Sequence, residues 1–328
     1  MRLTTVFSIL AAAFAMLAAA PASAQDGRLL VVNKSGDSLA VIDPGDYEVL
    51  ALIPTGADPH EVAVSPGGRY AYVTDYGTSM ARGTTVTKID LENLSVAATF
   101  DLQGNTAPHG VEVSADGSRV WVTTEASGTV IELDAASGEL INVWETGQNV
   151  SHMLTASHDE TLLFVTNIGS GSVTVIDRRD DSVVSIPTGA GAEGVDMRPG
   201  SDEVWITNRS AHTVSVLDAA TGQITGSFAS GGYFPIRVKF TPDGERAFVS
   251  NAMSNSVAVF DADSRELVAS IDVGAIPVGI LITPDGERAF VANTRDNKVT
   301  VIDTQALEVT GDFETGPEPD GMAWAPGR

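Results

Sequence analysis

The nonapeptide Thr-Pro-Asp-Gly-Glu-Arg-Ala-Phe-Val stands at 241–249 and again, letter for letter, at 283–291, an offset of 42 residues. Looser copies of the text around it run through the rest of the chain. Each has a short apolar stretch, a Pro/Asp/Gly turn, an aromatic-Val-Thr-Asn run, a polar turn and then Val-x-Val-Ile-Asp. Short strands recurring every 40–45 residues or so are what one blade of a β-propeller writes into a sequence. The glycine ending each unit falls at Gly56, Gly104, Gly147, Gly189, Gly231, Gly274 and Gly316. The motif aspartate falls at Asp43, Asp90, Asp134, Asp177, Asp218, Asp261 and Asp303. Both markers predict an all-β fold, a seven-bladed propeller of four-stranded blades.

The unit 233–274 reads as four strands, with Pro242-Asp243-Gly244 turning the chain between the first and second. Apolar residues fill both faces because a blade packs against two neighbours. The tail 317–328 restarts the unit but supplies only an inner strand, and the segment from Arg28 supplies the other three. The two ends are therefore expected to pair in one blade, which removes the sheet edges that invite aggregation. Residues 25–328 read as a single domain without a linker.

Residues 1–24 have Arg2, a long apolar run and Ala-Ser-Ala before Gln25, the pattern of a secretory signal peptide. No later segment reaches the roughly 18–20 apolar residues of a spanning helix. A periplasmic or secreted protein with no membrane span after signal removal, acting as a monomer, is expected. The chain has no cysteine, which excludes disulfides, zinc–thiolate sites and covalent c-type haem. Its formal charge is −24, from 43 acidic and 19 basic residues. That field repels phosphate backbones and argues against nucleic acid as a partner. No GxSxG elbow, P-loop or HExxH helix is present. The Val-Ile-Asp aspartates recur in every unit and read as turn acceptors rather than catalysts.

The runs YVTD (72–75), FVTN (164–167), WITN (205–208), FVSN (248–251) and FVAN (290–293) resemble YVTN-repeat propellers, the family that includes YncE-like periplasmic proteins. The resemblance covers nearly the whole chain after the leader. It implies the propeller fold and, with less specificity, a binding or interaction scaffold. Nucleic-acid binding is suggested by the resemblance alone.

Repeats bring equivalent positions together in space. The position opening each inner strand reads His60, His109, His152, Glu193, Ile236, Val278 and Asp320. Ring closure makes Asp320 a neighbour of His60, so Asp320, His60, His109, His152 and Glu193 form one arc of metal-ligand side chains. Three of the five histidines in the chain stand in it. Imidazole and carboxylate donors suit copper, zinc or iron. Ile236 and Val278 wall the other side, and Tyr233 and Arg237 are placed to orient a ligand. Met80, Met153, Met253 and Met322 fall near the same end and tilt the choice slightly towards copper. The bland account is a wet channel mouth lined by polar side chains.

Loops between second and third strands lie on this same face. In the unit of His60 that loop, 75–83, is enlarged and reads as either a gate or an inert insertion. His158 and His212 read as surface residues. Two functions follow: a scaffold binding a small ligand, metal or protein partner in the His arc, or a metal-dependent oxidoreductase or lyase. In the second, His60, His109 and His152 are ligands and Glu193 or Asp320 a fourth ligand or general base.

Overall fold

Each repeat folds into a four-stranded antiparallel sheet, and seven such sheets stand in a ring. The computed structural model describes residues 27–327, so the expected signal segment lies outside the described residues. Blade 1 is closed as the sequence predicts. Its inner strand, Pro319–Pro326, comes from the C-terminal end and pairs with Gly27–Asn33, with Leu29 opposite Trp324 and Val31 opposite Met322. Among the described residues the one helical element is a 3₁₀ turn, Thr294–Asp296. No helix there is long and apolar enough to cross a membrane.

The core lies between blades. Trp205, Val214 and Val216 of blade 5 bury themselves against Val238, Ala247, Val249 and Phe260 of blade 6. Phe290 and Val299 of blade 7 meet Leu29, Val31 and Ala40 of blade 1 in the same way. Strands buried on both faces cannot alternate apolar with polar residues, which accounts for the continuous runs.

The motif letters have structural reasons. The Val-Ile-Asp carboxylates accept backbone N–H groups two or three residues on, as in Asp134 with Ala136 and Ser137 at 3.1 and 2.8 Å. Asp303 does the same with Gln305 and Ala306, at 2.9 and 2.8 Å. Three of the recurring glycines, Gly189, Gly274 and Gly316, face the motif Asn of a neighbouring strand. A Cβ at Gly189 would stand 2.7 Å from Asn208 Cγ, and one at Gly274 2.7 Å from Asn293 Cγ. A side chain at either position would collide with that Asn.

Candidate functional site

Every inner strand carries the same β-bulge. In blade 2, Pro59 pairs with Asp75 and Val62 with Val73, so His60 and Glu61 together oppose Thr74. Equivalent shifts occur in the other six blades. A bulge re-aims side chains without ending the sheet. The first bulge residue is the ring position read from the sequence, and the second points down the channel.

The Thr or Ser of the YVTN motif locks the bulge. Thr74 Oγ1 accepts from Glu61 N at 3.0 Å and donates to His109 O of the next blade at 2.7 Å. Thr207 bridges Gly194 N and Ile236 O, and Ser250 bridges Arg237 N and Val278 O. Blades 1 and 7 have Val32 and Ala292 at this position and lack the bridge. The hydroxyl thus ties the second bulge residue of one blade to the ring residue of the next.

The ring positions form one contiguous arc. Asp320 Oδ2 lies 3.4 Å from His60 Nδ1. The ring centres of His60 and His109 are 4.6 Å apart, and those of His109 and His152 are 3.7 Å apart. His152 Nε2 then lies 3.7 Å from Glu193 Oε1. Ile236 and Val278 complete the circle opposite, partly buried.

A second repeated position, the residue after the motif Asn, supplies counter-charges. Lys34 Nζ is 3.2 Å from Asp320, and Arg209 Nη1 is 2.9 Å from Glu193. Glu125 Oε1 contacts His152 Nδ1, and its Oε2 accepts the Tyr76 hydroxyl at 2.6 Å. One ligand atom each from His109, Glu125 and His152 lie within 4.8 Å of one another.

The histidines divide by charge. Burial disfavours protonation of His60, but the carboxylates of Asp320 and Asp58 outweigh it and raise its pKa to about 9. The two carboxylates thus favour the imidazolium form of His60. His109 is 4% exposed and held well below the ordinary histidine value, first by burial and then by the nearby His152, His60 and Arg237. It is neutral, and its Nδ1 has no hydrogen-bond partner. Burial pushes the Glu193 carboxyl up, against the opposing pull of His152 and Arg209. Burial also opposes ionisation of Glu125, yet the His152 contact and the Tyr76 hydroxyl bring it below the usual range.

Beneath the arc the second bulge residues read Glu61, Gly110, Met153, Gly194, Arg237, Gly279 and Gly321. The three long ones meet across the channel. Arg237, buried, forms an ion pair with Glu61 and donates to Met153 Sδ at 3.2 Å. Below this plug lies a cavity of about 250 Å³ lined by Glu112, Asp196, Lys239 and Met322 among others.

The enlarged loop of blade 2 is used to lengthen two strands, Tyr70–Gly77 and Arg82–Asp90, into a taller hairpin. Its root sets the Tyr76 ring 4.4 Å from that of His60. Between hairpin and blade 3 opens a pocket of about 860 Å³, lined by Asp58, Tyr76, Arg82, Glu125, Ser127 and Asn149 among others. Tyr233 stands on the rim, 65% exposed, edge-on to His212 at 5.2 Å. Met80 and Met253 are exposed at loop tips. At the far end, His158 Nε2 lies 3.1 and 3.0 Å from the Arg198 and Ser201 carbonyls.

The profile of the YncE-like β-propeller family matches residues 24–283. The chain belongs to that family. YncE of Salmonella typhimurium and of Salmonella typhi are each 25% identical to it over 200 residues, 58% of this chain and 54% of theirs. The chain thus matches about half the length of these curated relatives. Hydrazine synthase of Kuenenia stuttgartiensis superposes with a TM-score of 0.76 at 19% identity, covering 86% of this chain and 94% of that one. The dihydro-haem d1 dehydrogenase NirN, in complex with DHE, gives 0.68 at 19%, covering 92% and 76%. A functionally unknown protein of Desulfotomaculum acetoxidans gives 0.78 at 14%, covering 92% and 99%. At these identities the likeness is one of fold. In this YncE-like propeller the blades differ most at the two repeated positions above. Reading the ring position alone leaves out Glu125, Tyr76, Lys34 and Arg209. Aligning the units one residue past the motif Asn is the signal that finds them.

Proposed function

We propose that this YncE-like propeller is an exported binding protein, residues 25–328 acting as one unit, that holds a divalent transition metal in its His arc. The ligands are His109, His152 and Glu125. The observation that carries this reading is His109: a buried, neutral imidazole with an unpartnered Nδ1, in reach of a second imidazole and a carboxylate. Leaving a buried polar group unsatisfied costs about 1–3 kcal/mol, which coordination offsets. Two imidazoles and one carboxylate, with no thiolate, suit zinc, iron or copper.

His60 has a different part. Clamped by Asp320 and Asp58 and protonated, it serves as a hydrogen-bond donor beside the metal rather than as a ligand. Glu193, anchored by Arg209, faces His152 and orients its ring, as second-layer carboxylates do. Ile236 and Val278 keep the far wall apolar, and Arg237 floors the site. Tyr233 remains available at the rim to a small ligand or a protein partner.

Elemental analysis of protein purified from its native compartment tests this reading. Stoichiometric copper, zinc or iron is expected in the wild type and is lost in His109→Ala and in Glu125→Gln. A metal-free wild type whose melting temperature does not respond to added metal contradicts it. A second reading, a metal-dependent oxidoreductase or lyase, draws on the pocket of about 860 Å³ beside Tyr76 and Glu125. That volume falls within the range of about 300–1,000 Å³ typical of small-molecule sites. Turnover that disappears with the metal separates the enzyme from the scaffold.

A further inference from the structure

Tyr76 is the residue through which the taller hairpin of blade 2 reaches the arc. Its ring lies 4.4 Å from that of His60 and 5.8 Å, edge-on, from that of His109. Its hydroxyl donates to Glu125 Oε2 at 2.6 Å, while Glu125 Oε1 contacts His152. One phenol therefore touches every member of the trio, directly or through one carboxylate. Apart from Glu125 itself, the residues at the same repeat position in other blades do not: Lys34 and Arg209 pair with Asp320 and Glu193, Ile168 and Ala252 carry no polar group, and Thr294 donates to Pro319 O.

The backbone behind Tyr76 is fixed. Gly77 N donates to Ala57 O at 2.9 Å, and Gly77 pairs with Arg82 across the hairpin. A Cβ at Gly83 would stand 1.6 Å from Asp75 O, so the two strands approach as closely as glycine allows. The backbone that carries the phenol is thus fixed before any ligand arrives, and the phenol itself is placed by Glu125 and the two imidazole rings. Glu125, by contrast, sits in the turn after Arg119–Thr124 and borders the large pocket. Without a donor on Oε2 its side chain keeps only the His152 contact to hold it out of that pocket.

We infer that Tyr76 is a positioning residue for the metal trio: its hydroxyl fixes the Glu125 carboxylate and its ring roofs His60 and His109. This rests on the metal reading above. Loss of such a partner to a metal-bound carboxylate typically lowers affinity about 10–100-fold.

Cobalt(II) serves as the probe, added to the wild type, Tyr76→Phe, Glu125→Gln and the double variant. Tyr76→Phe keeps the ring and removes the hydroxyl alone. It is expected to bind cobalt about 10–100-fold more weakly, with shifted visible bands. Because Tyr76 acts through Glu125, the double variant is expected to bind no more weakly than Glu125→Gln alone. Wild-type affinity with an unchanged spectrum in Tyr76→Phe overturns the inference and leaves the metal reading standing. So do losses that add in the double variant. A wild type that binds no cobalt overturns the metal reading, and this inference with it.

Discussion

Blades 1 to 5 and blades 6 and 7 share one backbone and differ in what they place at two repeated positions. Going round the first arc, the ring position and its outer neighbour read Asp320 with Lys34, His60 with Tyr76, His109 with Glu125, His152 with Ile168 and Glu193 with Arg209. In the second arc they read Ile236 with Ala252 and Val278 with Thr294. The bulge is present in all seven blades, so it does not depend on which side chains it aims. The plain arc shows what the architecture needs there, which is little more than an apolar or small residue. The charge and aromatic content of the other arc therefore exceeds what the architecture requires, and the proposed site is built from that excess.

The two arcs meet at one ion pair, and breaking it has the largest expected effect. Arg237→Ala leaves Glu61 buried and unpaired beneath the histidines. A loss of about 3–5 kcal/mol in denaturant unfolding is expected. Combining Glu61→Leu with Arg237→Met is expected to recover most of it. If Arg237→Ala alone is silent, the channel floor is solvated and the arcs are independent.

A smaller effect separates the junctions that have a hydroxyl bridge from those that lack one. Thr166→Val in the polar arc strands Met153 N and Glu193 O. It is expected to cost about 1–3 kcal/mol. Ala292→Ser, at the junction between blades 7 and 1, is expected to change stability by less than about 0.5 kcal/mol. Equal losses at both sites contradict a stabilising role for the bridge.

Below the plug, Glu112 offers a pH test. Burial raises its pKa to about 7, with Lys239 and the Ala156 N–H opposing. Between its unfolded value and about 7 the native state holds a proton that the unfolded chain has released, so stability falls as pH rises through that window. Glu112→Gln is expected to flatten that slope and to add about 1–2 kcal/mol at pH 8. Unfolding measured at pH 5 and pH 8 checks it. The smallest change belongs to the plain arc: Ile236→Val is expected to cost less than about 1 kcal/mol and to leave bound metal untouched.

The fold was legible because repetition gives each element seven chances to be read. Blade count, the closing strand and the turn-capping role of the motif aspartates all follow from aligned letters. The adjacency of the three imidazoles was legible for the same reason, since equivalent positions in a ring must be neighbours. Glu125 was not read, because it stands one residue beyond a motif whose Asn is Thr124 in that blade. The pair of Glu61 and Arg237 was not legible either, for its partners are 176 residues apart and meet only across the channel. The segment 75–83 showed its extra length but not its use. Gly77 and Gly83 let the insertion continue as paired strands, so it raises Tyr76 over the histidines instead of hanging as a separate loop.

X-ray absorption at the metal edge of the loaded protein tests the central claim most directly. Two imidazoles and one carboxylate oxygen are expected at about 2.0–2.2 Å from the ion. Sulfur in the first shell, which Met153 would supply, or scattering without imidazole, would contradict it.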